Sequence, residues 1–150
     1  MKIRIETEKD LLEDEIIIRC REVNEAVDKI QRAILEQFSA AAKIVFYKGH
    51  KEFYFPLSEV LFFETENDGV YAHTKNDSFS IRHRLYELMD MLPARFMRVS
   101  KSAILNIDRT HSITRNLASA SLVEFEGTYK HVYVSRRYYA SLKERLAERR

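Results

Sequence analysis

The chain has 150 residues, of which 45% are hydrophobic and 32% charged, a composition typical of folded proteins rather than disordered ones. No run of residues reaches the roughly 18 apolar positions that a membrane span requires, and the first residues lack the apolar stretch of a signal peptide. A cytoplasmic protein is therefore predicted. The single cysteine, Cys20, excludes an internal disulfide and is expected to be a buried structural thiol.

Charge is distributed unevenly along the chain. Residues 1–42 carry 7 Lys or Arg and 10 Asp or Glu, a net charge of −3, whereas residues 43–150 carry 18 and 13, a net charge of +5. Residues 98–150 alone hold 11 basic and 5 acidic side chains, a net charge of +6. A positive surface of this kind attracts a polyanion, although an ordinary solvated surface can have the same composition.

The first 42 residues predict a small α+β unit of two strands and a helix. Residues 2–6 alternate in polarity and residues 15–20 contain three consecutive isoleucines, which favours two strands. Asn24 is a candidate N-cap for the following helix. Because so small a unit buries little surface, the apolar stripe of its helix needs a partner, in the rest of the chain or in a second copy. That stripe, at helical spacing, consists of Val23, Val27, Ile30, Ile34 and Phe38.

Residues 43–150 predict a second domain that is mainly β with short helices. Leu85, Leu88, Met89 and Leu92 lie at helical spacing before Pro93, which indicates a short helix. Four pairs of apolar segments each flank a short stretch of turn residues, which indicates four hairpins. A last helix is predicted after a cap at Ser135, with Tyr139, Leu142 and Leu146 on one face. Strands are predicted at 44–47, 52–57, 60–63, 70–74, 78–81, 99–107, 122–125 and 131–134.

Catalytic and metal-binding patterns are not recognisable in the sequence. The three glycines are isolated, so no phosphate-binding glycine loop is present, and the five histidines lack metal-ligand spacing. No Ser, His and acid arrangement has a local signature. The protein is therefore predicted not to be an enzyme and to need no metal or cofactor.

Two basic, hydroxyl-rich segments are the most informative part of the chain. One is Arg95-Phe-Met-Arg-Val-Ser-Lys-Ser-Ala-Ile-Leu-Asn106, and the other is Val132-Tyr-Val-Ser-Arg-Arg-Tyr-Tyr139. They are preceded by Leu57-Ser-Glu-Val-Leu-Phe-Phe-Glu64, an apolar strand that ends in a glutamate. In order and spacing these three stretches resemble the LytTR family of bacterial DNA-binding domains, over about residues 43–148.

The resemblance implies an elongated, mainly antiparallel β domain that inserts loops into successive major grooves of DNA. Lys101 and Arg137 fall at base-reading positions, and Asn67 is the best polar candidate in the first loop. Each has an alternative role, respectively as an exposed strand-end lysine, as a surface ion-pair partner and as a turn residue. The candidate phosphate contacts are Arg98, Ser100, Ser102, Ser135 and Arg136.

Two residues of the central motif have structural alternatives as well. Arg98 could pair internally and support the fold, and Asn106 could stabilise a turn by bonding backbone groups. Ser100 stands where many family members have His, which could change sequence preference without changing the fold.

The sequence thus predicts a stand-alone regulator of transcription that binds double-stranded DNA as a homodimer, with residues 1–42 forming the dimer. Residues 1–42 are too short for a receiver domain. Family members are often encoded beside small membrane proteins thought to restrain them, so such a partner is implied by the resemblance.

The alternative is a protein-interaction module whose basic face binds an acidic protein. RNA binding, through exposed Tyr71, Tyr129 or Tyr133, is a third, weaker hypothesis.

Overall fold

The computed structural model of this chain describes the backbone of residues 1–39 and 44–149, and the side chains of these residues except 35–39. The chain divides into two compact units, Met1–Leu35 and Glu36–Arg150. The predicted boundary after residue 42 falls outside the described residues. Over the described ranges, none of the helices combines the length and the apolar character needed to cross a membrane.

Helix α1, Glu25–Ser39, begins in the N-terminal unit. Asn24 caps it as predicted, because its Oδ1 accepts a hydrogen bond from the Val27 N–H at 3.0 Å. The two strands predicted at residues 2–6 and 15–20 are wrong, since residues 1–24 contain no strand and every side chain there is exposed. A strand needs a neighbour for its backbone groups, and the described part of the chain provides none. Cys20 is also exposed, which corrects its predicted burial.

The second unit confirms the mainly β prediction with two antiparallel sheets. The strands are β1 Phe46–Lys48, β2 Lys51–Phe53, β3 Phe62–Glu66, β4 Gly69–His73, β5 Ser78–Ile81, β6 Phe96–Ser100, β7 Ala103–Asn106, β8 Thr110–Thr114, β9 Ser121–Phe125 and β10 His131–Val134. The order in the seven-stranded sheet is β2-β1-β5-β4-β3-β7-β6, and the order in the three-stranded sheet is β10-β9-β8.

Two helices accompany the sheets near their predicted places. Helix α2, Leu85–Met91, ends just before Pro93, and helix α3, Arg136–Glu148, follows β10. On α3 the buried Leu142 and the half-buried Leu146 contact the core as predicted. The third apolar contact of α3 is made by Tyr138 rather than by the predicted Tyr139.

One predicted strand, residues 99–107, is instead a hairpin. The chain turns at Lys101 and Ser102 between β6 and β7, and a register shift between Arg98 and Ser100 marks a bulge. β8, which follows this hairpin, was not predicted from the sequence because its Thr-His-Ser-Ile-Thr run carries little apolar alternation.

The seven-stranded sheet carries a core on each face. Phe63 and Ile104 point to one face, where α2 and the strands β1, β4 and β5 complete the cluster. Their neighbours Phe62 and Leu105 point to the other face, where β9, β10 and α3 pack. This alternation follows from the two-residue repeat of a strand, and it fixes the register of β3 against β7.

Candidate nucleic-acid interface

Two turns with predicted base-reading residues project from the same end of the seven-stranded sheet. β3 and β7 are antiparallel neighbours with Glu64 opposite Ala103, so the end of β3 lies beside the start of β7. The Thr65 N–H donates to the Ser102 carbonyl at 2.8 Å, which carries the pairing up to the turn. Asn67, in the β3–β4 turn, and Lys101, in the β6–β7 turn, are therefore close neighbours along this end of the sheet, and both are exposed.

The start of α3 joins the same end. The Ser135 N–H donates to the Val99 carbonyl at 2.9 Å, and Val99 lies two residues before Lys101. Arg136 and Arg137 follow in the first turn of α3 and are exposed. The fold thus brings the central and closing motifs together, although the 25 residues 107–131 separate them in the sequence. We call the set Asn67, Lys101, Ser102, Arg136 and Arg137 the candidate edge.

Arg98 stabilises the turn that presents Lys101. Its Nε donates to the Ser100 carbonyl at 2.7 Å, and its Nη2 donates to the Lys101 carbonyl at 2.5 Å. The Ser100 Oγ also accepts a hydrogen bond from the Ser102 N–H at 3.1 Å. The alternative role considered for Arg98, internal pairing, is therefore present in the structure. Phosphate contacts by Arg98, Ser100 and Ser102 stay predictions.

Asn106 bonds backbone groups, which is the structural alternative considered for it on the sequence alone. Its side chain is fully buried, and its Nδ2 donates to the Val60 carbonyl at 2.8 Å. Its Oδ1 accepts a hydrogen bond from the Asp108 N–H at 3.1 Å. A buried amide whose donor and acceptor are both satisfied locks the end of β7 to the segment before β3.

The β3–β4 turn carries negative charge around Asn67. Glu66 precedes it and bonds His73 Nε2 at 2.9 Å, and the Asp68 carboxylate accepts a hydrogen bond from the Tyr71 hydroxyl at 2.7 Å. That hydrogen bond raises the pKa of Tyr71 above its usual value. Two carboxylates repel a phosphate, so this turn suits a contact to a base edge better than a contact to the DNA backbone.

Sequence reasoning did not single out Arg115, which the structure places near α3. β8 and β10 both run antiparallel to β9, so β8 ends on the side where β10 leads into α3. The Arg115 guanidinium follows β8 and lies 4.9 Å from the centre of the Tyr139 ring. The sequence carries no signal for Arg115, because β8 has little apolar alternation and the position of its end beside the closing motif depends on strand pairing.

The five residues of the predicted dimerisation stripe do not all lie on α1. Val23 precedes α1 and is exposed, whereas Val27 is buried and Ile30 and Ile34 are half-buried. The Phe38 side chain lies outside the described side chains.

The chain is similar in sequence to known DNA-binding proteins. The family model of the LytTr DNA-binding domain matches residues 50–147. Two uncharacterized HTH-type transcriptional regulators of Staphylococcus aureus, from strains bovine RF122 / ET3-1 and NCTC 8325 / PS 47, are each 32% identical over 150 residues, covering 98% of this chain and 99% of the relative.

A solved structure shares the fold. It is the LytTr DNA-binding domain of a Bacillus cereus protein described as a methyl-accepting/DNA response regulator. The two superpose with a TM-score of 0.61 and 21% sequence identity, covering 67% of this chain and 92% of that one. This family consists of DNA-binding regulators and is not a class of enzymes. The chain belongs to the LytTR family of DNA-binding transcriptional regulators.

Proposed function

We propose that this protein is a sequence-specific regulator that reads double-stranded DNA with the candidate edge, as a homodimer. The observation that carries the proposal is the convergence of the β3–β4 turn, the β6–β7 turn and the start of α3 at one end of a rigid sheet. Each supplies an exposed side chain that can donate a hydrogen bond to a base.

The chemistry of the three side chains fits the major groove, which is wide enough to admit a two-stranded ribbon or a helix. The planar guanidinium of Arg137 can donate to O6 and N7 of one guanine at once. Lys101 can donate to the same acceptors as a single charge, and the Asn67 amide can pair with adenine. We infer that these turns enter successive major grooves on one face of the duplex.

The phosphate contacts follow from the start of α3. The first turn of α3 has no acidic residue, and its N-terminal N–H groups together with Arg136 favour an anion. The Ser135 Oγ occupies the N-cap position without capping the helix, and in the described structure it has no hydrogen-bond partner. A change of the Ser135 χ1 rotamer would turn this buried oxygen toward a DNA phosphate held by Arg136, and the phosphate would then supply the partner.

The homodimer is proposed to form through the N-terminal unit, with the exposed Val23 and the half-buried Ile30 and Ile34 contributing apolar surface. A dimer brings two candidate edges to one DNA molecule, so the dimer binds that DNA more tightly than a single edge does. A small membrane protein as a restraining partner is proposed on the family resemblance alone.

The test is fluorescence anisotropy with a duplex from the gene's own upstream region and a scrambled duplex, at about 0.15 M salt and at lower salt. We expect tighter binding to the upstream duplex by about a thousandfold or more. Equal, salt-sensitive binding to both duplexes would contradict recognition of this region. An absence of binding even at low salt would favour a protein partner for the basic face.

A further inference from the structure

Residues 13–21 form a segment whose two halves carry opposite charges. It reads Glu-Asp-Glu-Ile-Ile-Ile-Arg-Cys-Arg, with an acidic start, three isoleucines and a basic end. When this segment is laid antiparallel on a copy of itself, with Ile17 opposite Ile17, every acidic residue except Asp14 meets an arginine. Asp14 meets Cys20.

The structure leaves this segment uncovered. Residues 14–20 have no regular secondary structure of their own and lie between bends at 12–13 and 21–22, so this run is itself centred on Ile17. Ile16, Ile17 and Ile18 are 61%, 64% and 38% exposed. Within the described ranges, no backbone hydrogen bond joins residues 13–21 to another segment. Three adjacent exposed β-branched side chains on an unpaired backbone are typical of a strand that pairs with another chain.

Pairing with the other apolar segment of the unit, residues 2–6, is disfavoured by charge. The antiparallel register that matches Ile3 with Ile18 and Ile5 with Ile16 also places Lys2 opposite Arg19 and Glu6 opposite Glu15. Like charges directly opposite each other destabilise a strand pair. A parallel register removes the clash, but the eight residues from 7 to 14 are fewer than the dozen or so that a parallel connection needs.

We infer that residues 13–21 pair in antiparallel fashion with the same residues of a second copy of this chain, on a two-fold axis through Ile17. Glu13 then lies opposite Arg21 of the copy, and Glu15 opposite Arg19. On the other face, Ile16 of each chain lies opposite Ile18 of the other. A contact of this kind is self-complementary, as a two-fold symmetric dimer requires. The inference rests on the proposed homodimer and adds residues 13–21 to the residues already proposed for its interface.

The register can be tested by cross-linking in the absence of DNA. In a Cys20→Ser background, Ile17→Cys places two thiols opposite each other across the axis, at a Cα separation of about 4.5–5.5 Å, within disulfide range. We expect mild oxidation to give a covalent dimer on a non-reducing gel. Glu13→Cys in the same background is the matched control, because its two copies are eight residues apart, about 27 Å, and should stay unlinked.

Charge reversal provides a second test in the full-length chain. An acidic variant, Arg19→Glu with Arg21→Glu, and a basic variant, Glu13→Arg with Glu15→Arg, should each dimerise at least about tenfold more weakly than the wild type in sedimentation. An equimolar mixture of the two should recover a heterodimer in native mass spectrometry, because each mutated half then faces its complement. Circular dichroism checks that both variants retain the wild-type secondary structure.

The outcomes separate this inference from the proposed function. A wild-type dimer without the Ile17→Cys cross-link, equal cross-linking of the Glu13→Cys control, or a mixture that fails to recover the heterodimer would overturn the assigned pairing. A wild-type chain that sediments as a monomer would overturn the proposed homodimer as well. Neither measurement involves DNA, so a failure of DNA recognition would leave these results unchanged.

Discussion

At the scale of single residues, Arg137 is expected to determine specificity. Arg137→Ala should weaken binding to the preferred duplex by about 1–3 kcal/mol and weaken binding to a random duplex far less, because only the guanidinium contact to a base is lost. Arg137→Lys is the matched variant, which keeps the charge but cannot bind two guanine acceptors in one plane. Competition anisotropy with both duplexes measures the difference. Equal losses on the two duplexes would mean that Arg137 contacts only phosphate.

Arg98 and Lys101 are expected to act differently although they are three residues apart. Arg98→Ala should lower the free energy of unfolding by about 1–3 kcal/mol, since its guanidinium holds the carbonyls of Ser100 and Lys101. Lys101→Ala should change unfolding by less than about 0.5 kcal/mol, because the side chain is exposed, and should weaken DNA binding. Urea unfolding separates the two roles. An Arg98→Ala variant as stable as the wild type would refute the structural role of Arg98.

The sequence identified the residues of the candidate edge but could not assign all their roles. Arg98 and Asn106 lie inside the same motif as Lys101, and only their surroundings show that Asn106 is buried and bonded to Val60 and Asp108. Arg115 could not be selected at all, because its nearness to Tyr139 depends on strand pairing rather than on sequence order.

At the scale of elements, sequence patterns predicted turns better than strand partners. The turns near Gly49, Gly69 and Gly127 contain residues that favour tight turns, and their hairpins formed as predicted. The Lys101-Ser102 turn contains no glycine, proline, asparagine or aspartate, so the sequence predicted a single strand over this hairpin. Residues 2–6 and 15–20 have strand-like alternation, but pattern alone does not provide the neighbour that a strand requires.

His73 joins the two sheets and should make their stability depend on pH. Its ring stacks on Phe62 at 4.5 Å, its Nε2 bonds Glu66, and its Nδ1 lies 3.3 Å from the Nζ of Lys130, just before β10. Burial lowers the pKa of His73, although the hydrogen bond to Glu66 opposes this. As the pH falls below about 6.5, the unfolded chain therefore gains a proton that the folded protein resists, and stability declines.

The pH effect can be measured by urea unfolding between about pH 7.5 and pH 5, a range that spans the ordinary pKa of histidine. We expect the wild type to lose more stability toward low pH than a His73→Gln variant does. His50→Gln, at an exposed turn position, is the control and should keep the wild-type dependence. Identical pH dependence in the wild type and the His73→Gln variant would show that His73 does not link the sheets in this way.

The α1 stripe makes a separate prediction for assembly. Ile30→Asp with Ile34→Asp should give a soluble monomer with weaker DNA affinity, because two charges in an apolar contact are costly to bury. Gln31→Asp with Ala33→Asp adds the same charge at exposed positions of the helix and should leave the dimer intact. Sedimentation measures both variants. Dimerisation that survives the first pair of substitutions would exclude the stripe from the interface.

At the scale of the whole molecule, the chain combines an acidic N-terminal part with a basic DNA-binding domain. Residues 1–42 carry a net charge of −3, which disfavours contact with DNA phosphates. Residues 98–150, which include all three basic residues of the candidate edge, carry a net charge of +6. The mainly β fold and its family followed from three motifs in the sequence. The pairing proposed for the N-terminal unit did not, because it depends on a second chain.

The most direct test of DNA reading by a dimer is selection of duplexes from a random library at about 0.15 M salt. The proposed function predicts enrichment of sequences with two copies of one short motif, bound about a thousandfold or more tighter than the starting pool. The Arg137→Ala variant should fail to enrich the same motif. A pool that stays random over repeated rounds, while still binding in a salt-sensitive manner, would contradict sequence-specific recognition.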